Sequence, residues 1–373
     1  MKTILYIGNN LSKHGNTTTS IETLGAFLEQ EGFTIYYASA KKNQLIRMID
    51  MIFATIKYAR KIDFVMIDTY STRNFWFAFV ISQLCRVLLI KYISKLHGGN
   101  LPNRLLKKPF ICDLIFKNAY SVVAPSGYLM DAFSKSYSDN LIFIPNTIDI
   151  KVYPFKERVV DNPKLFWLRS FSSIYNPKMA IEVLFELKKE YPNASLCMVG
   201  PDKENLISEC KKLAKKRKVT VTFTGLLSKE DWVLLSNDYT IFINTSHYDN
   251  TPVSLIEAMA VGLPIVTTNV GGIPYLVKDK ENALLVNDAA VFEMVDAVKL
   301  LLNNTQLTQE LIRNSRKLAE EFDWEKVKLT LSSGNPNQNN VAPLLQAWFL
   351  RYGQFNNLSL NQSASANSIQ ALT

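Results

Sequence analysis

Short apolar runs alternate along the chain with longer stretches in which apolar residues recur every three or four positions. The first pattern reads as buried strand and the second as amphipathic helix. In the first half the runs predict strands at 2–8, 33–38, 64–68, 91–96, 121–124 and 141–144, with helices near 19–31, 45–60, 74–86, 105–118 and 128–135. A Pro-bearing, charged stretch at 149–163 reads as a linker. The pattern then restarts, with strands at 165–168, 195–199, 219–222, 239–243, 264–267 and 283–286. Helices are expected near 177–190, 203–217, 229–236, 252–261, 289–302 and 308–322. Strands separated by helices form parallel sheets covered on both faces. The expected architecture is α/β, with two doubly wound Rossmann-like domains, 1–155 and 156–331, facing across a cleft, and a tail at 332–373. In such sheets ligands gather at the carboxyl ends of the strands, so residues just after strands carry most weight.

Composition narrows the classes. A chain of 373 residues is too long for one ordinary core and comfortable as two. With 47% apolar and 20% charged residues, collagen, a disulfide scaffold and wholesale disorder are excluded. Cys85, Cys112, Cys197 and Cys210 are scattered without metal-ligand spacing, and there are only three histidines, which argues for a reducing cytoplasm and against a Cys/His metal site. The N-terminus reaches Gly8 too soon for a signal peptide, and the apolar stretch 75–90, broken by Gln83 and Arg86, falls short of a membrane span. Charge is uneven: residues 1–150 hold 17 Lys and Arg against 10 Asp and Glu, whereas 151–330 hold 24 against 23. A basic first half suits an anionic membrane surface or a phosphate-bearing partner, or is a solvated surface that favours lysine. Within it Leu45, Met48, Ile49, Ile52, Phe53 and Ile56 repeat at helical spacing, with Lys41, Lys42, Arg47, Lys57, Arg60 and Lys61 around them. That stripe either packs on the sheet or faces a membrane. The tail has a single charged residue, Arg351, and reads as a disordered or poorly packed extension.

No two of the fourteen glycines form G-x-G, so both the dinucleotide fingerprint and the P-loop are absent. Phosphate must be met another way. The segment 244–264 offers one: a strand ends near Ile243, a polar loop follows, and Pro252 fits the first turn of a helix. The free N–H groups of that turn would bind a phosphate, drawing in Asn250, Thr251, Pro252, Val253, Ser254 and Leu255. Asp249 and Glu257 bracket this anion site, placed to accept hydrogen bonds from neutral sugar hydroxyls. Gly271-Gly272 follows the next strand and permits close backbone approach.

Glu257-Ala258-Met259-Ala260-Val261-Gly262-Leu263-Pro264, with Gly271-Gly272-Ile273-Pro274, resembles the donor-site signature of the retaining glycosyltransferases of family 4 (glycosyl transferases group 1), which have the GT-B fold. The resemblance covers about residues 1–330. It implies that Glu257 holds the ribose hydroxyls of a nucleotide sugar and that Asp249, where the family usually has glutamate, holds the transferred sugar. Leu96-His97-Gly98-Gly99 resembles the family's cleft histidine, implying that His97 hydrogen-bonds that sugar. The loop from Gly8 to Gly15, with Asn9, Asn10, His14 and Asn16, resembles the glycine-bearing loop near donor phosphates and acceptor. Arg169 stands where the family places an arginine on the diphosphate. The lysine expected a turn later is missing. Lys178, at the start of the next helix, is either its displaced equivalent or a solvated first-turn lysine.

The resemblance implies retaining transfer of a hexosyl group from a UDP- or GDP-sugar to a glycan or lipid-linked acceptor, in surface polysaccharide biosynthesis. It implies no metal and no cofactor beyond the donor, and a cytoplasmic enzyme, peripheral on the inner membrane face if its basic half binds there. A nucleotide-sugar epimerase of the same fold, or a non-catalytic sugar-nucleotide binder, would keep the same donor pocket. A nucleic-acid partner would rest on charge alone, without stacking motifs or a recognition helix.

Overall fold

The computed structural model describes residues 2–11, 15 and 19–333. The expected extension from 334 onward, and His14 and Asn16 of the glycine-bearing loop, lie outside the described residues. Six strands build the first sheet: β1 (Thr3–Ile7), β2 (Thr34–Ala38), β3 (Phe64–Tyr70), β4 (Tyr92–His97), β5 (Ser121–Ala124) and β6 (Leu141–Phe143). All run parallel, in the order β2-β1-β3-β4-β5-β6. Six more build the second: β7 (Lys164–Leu168), β8 (Ser195–Val199), β9 (Val221–Gly225), β10 (Ile241–Asn244), β11 (Ile265–Thr268) and β12 (Leu284–Val286). These too are parallel, in the order β12-β11-β10-β7-β8-β9. Both orders reverse beside the first strand of the sheet, between β1 and β3 and between β7 and β10, which is where such sheets open a crevice.

The helices follow from the same alternation. In the first half they are α1 (Ser20–Gln30), α2 (Gln44–Tyr58), α3 (Phe75–Val87), α4 (Leu101–Lys107), α5 (Pro109–Phe116) and α6 (Gly127–Tyr137). The second half adds α7 (Pro177–Leu187), α8 (Leu206–Arg217), α9 (Lys229–Leu235), α10 (Val253–Ala260), α11 (Ile273–Leu276), α12 (Val291–Asn303), α13 (Thr305–Glu320) and α14 (Trp324–Ser333). One helix expected over 105–118 is two. Pro109 has no N–H to continue α4 and disfavours helical backbone at Lys108, which sits at φ −140°, ψ 58°. Helix α10 starts one residue later than expected. Pro252 is its N-cap, with an extended ψ of 114°, not a residue of its first turn.

Side chains of β1, β3, β4, β5 and β6 alternate between the two faces of the first sheet. Leu5, Val65 and Ile67 enter the core under α2, α3, α5 and α6. Ile4, Tyr6, Met66, Ile93, Val123 and Ile142 face the opposite side, where Ile21 and Leu28 of α1 join them. Trp324 and Val327 of α14 complete that second cluster. The chain therefore crosses back after the second sheet, and α14, expected with the 156–331 domain, packs on the first half instead. The crossing is fixed by Ile148, whose N–H donates to the Phe322 carbonyl (2.9 Å) and whose carbonyl accepts from Trp324 N–H (2.9 Å).

Candidate functional site

The carboxyl ends of both sheets face one cavity of about 670 Å3, lined by residues of both halves. On the second-half side, Arg169 leaves the end of β7, its N–H held by the Val199 carbonyl (3.0 Å). Gly200, at φ +146°, must be glycine here, because a Cβ would run into the Arg169 backbone. The guanidinium lies 4.4 Å from the Tyr175 ring centroid and touches the Asp249 carboxylate. Burial lowers the Arg169 pKa, but an arginine stays charged. Its Nε has no hydrogen-bond partner among the described residues.

Asp249 lies in the loop after β10, with Oδ1 accepting from Asn250 N–H at 2.9 Å. The loop is clamped by Gly272 N–H on the Asp249 carbonyl (2.9 Å), and a side chain on Gly271 (φ +54°) would collide with that carbonyl. Helix α10 then begins. The residues Thr251 and Ser254 at its start line the cavity, and their hydroxyls are buried with no hydrogen-bond partner among the described residues. A buried unpaired hydroxyl is costly, so two at one helix N-terminus single out this end of the cavity. One turn on, Glu257 accepts from Tyr153 Oη (2.7 Å) and lies 3.6 Å from Lys229 Nζ. Burial raises its pKa, with Lys229 pulling the other way. Burial, and then Glu257 itself, push the Tyr153 phenol up, so it stays a donor.

The first-half side centres on Asp68, buried on β3. It accepts from Tyr6 Oη (3.1 Å) and Tyr70 Oη (3.3 Å), and its Oδ1 lies 2.8 Å from His97 Nε2 at the end of β4. Tyr70 stacks on the His97 ring at 5.2 Å. Two residues before His97, and so on the same face of β4, Lys95 is buried against Ser20 Oγ. Burial lowers its pKa, opposed by Asp68. Lys95, Ser20 and His97 all line the cavity.

The cavity brings together His97, Arg169, Asp249, Thr251, Pro252, Val253, Ser254 and Glu257 from both halves. Four expected site residues lie elsewhere. Lys178 turns outward, half-exposed, onto Glu209 at 2.6 Å, because α7 directs its first turn at α8 and not into the cleft. Leu255 is fully buried in the second-half core, on the helix face opposite the cavity. Asn250 faces the first half, its Oδ1 against Ser126 Oγ, and Gly15 is exposed and not among the described lining residues. Sequence reasoning missed Lys95, Lys203, Lys229 and Tyr153. Lys229 carried a readable signal, as the residue after the helix-capping Ser228, but only the fold reveals that α9 starts beside Glu257.

Residues 149–318 match the family described as glycosyl transferases group 1. An uncharacterized glycosyltransferase of Haemophilus influenzae is 33% identical over 142 residues, covering 38% of this chain and 40% of that protein. Spore coat protein SA of Bacillus subtilis is 27% identical over 175 residues, 43% of this chain and 45% of that one. The chain thus spans less than half the length of these two relatives. Among solved structures, sucrose-phosphate synthase of Thermosynechococcus elongatus superposes with a TM-score of 0.73 at 17% identity, over 89% of this chain and 97% of that one. Anabaena HepE in complex with UDP and glucose gives 0.72 at 16% identity, over 89% and 100%. At such identities the likeness is one of fold: two Rossmann-like halves across a cleft, the GT-B arrangement.

Proposed function

We propose that the chain is a retaining glycosyltransferase that moves a hexosyl group from a nucleotide-diphosphate sugar to a glycan or lipid-linked acceptor. The observation that carries this reading is one cavity holding a buried arginine, two unpartnered hydroxyls at a helix N-terminus and a buried glutamate. That is the complement of a diphosphate with a ribose diol beside it. As the glycosidic bond breaks, negative charge grows on the departing diphosphate. Arg169 and the free N–H groups of α10 are already aimed where it appears, so they stabilise the transition state more than the ground state. The diphosphate engages the free Nε of Arg169 and shares the guanidinium with Asp249, whose carboxylate then meets the hydroxyls of the transferred sugar. His97, held by Asp68, meets the same sugar from the first half. Retention follows from front-face attack, in which the donor phosphate takes the acceptor proton. The reaction so described uses no metal and no cofactor besides the donor. The UDP bound to Anabaena HepE supports a uridine donor, and a cytoplasmic site of action with surface polysaccharide as the product class belongs to the same proposal.

Calorimetry with UDP tests the reading. Glu257→Gln removes the charged acceptor and is expected to weaken UDP binding by about 1–3 kcal/mol. Because burial raises the Glu257 pKa, its protonation begins at a higher pH than for an exposed glutamate. Wild-type affinity should fall as pH drops through that range, and the glutamine variant should not follow. Equal UDP affinity in both proteins would remove Glu257 from the site.

A further inference from the structure

Helix α2 is turned the wrong way round for an ordinary surface helix, which buries its apolar stripe and exposes its polar side. Here Leu45 (77%), Ile49 (65%), Phe53 (64%), Ile46 (54%) and Ile56 (54%) are exposed. Arg47, Met51, Ala54 and Thr55 are buried. At about 100° per residue the five exposed side chains share a single arc of roughly 100°. Of the stripe read in the sequence, only Met48 and Ile52 pack partly against the core.

The orientation is fixed by directed bonds. Buried Arg47 donates to the Lys41 carbonyl (2.7 Å), the Lys42 carbonyl (3.0 Å) and Asn9 Oδ1 (2.9 Å), with its guanidinium 5.8 Å from the Phe77 ring centroid. The Asn43 side chain caps the N–H groups of Leu45 and Ile46. Rotating α2 to bury the stripe would carry Arg47 out to solvent and take its donors away from the Lys41 and Lys42 carbonyls and Asn9 Oδ1, so these bonds hold the helix in this orientation.

From this geometry we propose that the outward face of α2 is a docking surface for an anionic lipid bilayer. Lys41 and Lys42 precede the stripe and Lys57, Arg60 and Lys61 end it, all exposed and none in an ion pair among the described residues. The two acids of the segment are engaged elsewhere: Asp50 accepts Ser39 N–H (3.0 Å) and Asp63 accepts Thr3 N–H (2.8 Å). Apolar side chains between cations of one sign match the acyl boundary and the anionic headgroups at once. A second copy docked on the same face would set five cations against five more. Among the described residues no helix is long and apolar enough to cross a membrane, so contact would be made from one side. Arg47 ties α2 to Asn9, just past the carboxyl end of β1, and the carboxyl ends of the first sheet face the cavity, so a docked α2 would keep that end of the sheet near lipid. The proposal does not rest on glycosyl transfer, and its failure would leave the donor-site reading standing.

The experiment is co-sedimentation of the full chain with vesicles of phosphatidylcholine containing about a third phosphatidylglycerol, against phosphatidylcholine alone, at low and high salt. Binding to the anionic vesicles alone is expected, weakened by salt and at least about tenfold weaker in the double variant Ile49→Glu/Phe53→Glu. Lys57→Glu/Lys61→Glu should weaken it as well, with thermal unfolding unchanged in both variants because all four side chains are exposed. No binding at low salt, equal binding to neutral vesicles, or binding indifferent to both double variants would overturn the proposal. So would a wild-type dimer that Ile49→Glu/Phe53→Glu dissociates, which would give the face to a second copy.

Discussion

Asp68 is placed to set the tautomer and orientation of His97, the residue proposed to meet the transferred sugar. An ionised carboxylate only accepts hydrogen bonds, so the 2.8 Å contact requires the His97 proton on Nε2 and leaves Nδ1 for another partner. Removing the charge loosens this choice of tautomer and orientation. Asp68→Asn should therefore lower turnover by about ten- to hundredfold, roughly 1.4 kcal/mol of barrier per decade, with UDP affinity unchanged. Tyr6→Phe is the control. It removes another bond to the same carboxylate (3.1 Å) but leaves the histidine contact intact, and it should stay within a few fold of wild type. Equal losses in the two variants would mean that Asp68 serves the fold of β1 and β3 and not His97.

The elements decide which cations reach the cavity. Arg169 sits at the end of β7 and is directed inward by the strand, whereas Lys178 rides on the first turn of α7 and pairs with Glu209 of α8. Exposed pairs of that kind contribute little, and the lysine faces away from the cavity. Arg169→Ala should cost at least about a hundredfold in turnover, the scale seen when one preorganised charge-stabilising donor is lost, and Lys178→Ala should cost almost nothing. A steady-state assay of the two variants decides between them, and a severe defect in Lys178→Ala would mean that α7 repositions. Lys203 and Lys229 line the cavity, whereas Lys178 does not. The strands were legible because parallel strands buried on both faces are nearly continuous apolar runs, such as Phe64-Val65-Met66-Ile67. The second-half lining of the cavity was legible because its residues follow strand ends in sequence. Lys95 was not, since a lone lysine in a strand reads as an edge or solvent position until the fold shows Ser20 above it. The α2 stripe was legible as a stripe, but its direction was not, because periodicity gives the arc and only the Arg47 bonds give the side that faces inward.

At the scale of the whole molecule, the two halves are joined by more than the linker. Trp324, carried past the second sheet, stacks on Phe27 of α1 at 5.1 Å with the rings 6° from parallel, and its Nε1 donates to Glu31 Oε1 at 3.1 Å. Lys328 adds a second bond to the same carboxylate oxygen at 2.9 Å. The indole is almost fully buried, so it fills a slot over the face of the first sheet that α1 leaves open. Deleting a side chain of that size from a core removes its transfer free energy and leaves a cavity, together about 3–5 kcal/mol. Trp324→Ala should lower stability by that amount in urea unfolding. The loss should fall on the half where the side chain packs, not on the half whose sequence precedes it. Hydrogen exchange locates it: amides of β1, β3 and β4 should exchange faster in the variant, with β7 and β10 protected as before. Faster exchange confined to β7 and β10 would return α14 to the second half. Equal acceleration in both sheets would instead mean that the halves open as one unit, with the cleft between them fixed by the returning helix.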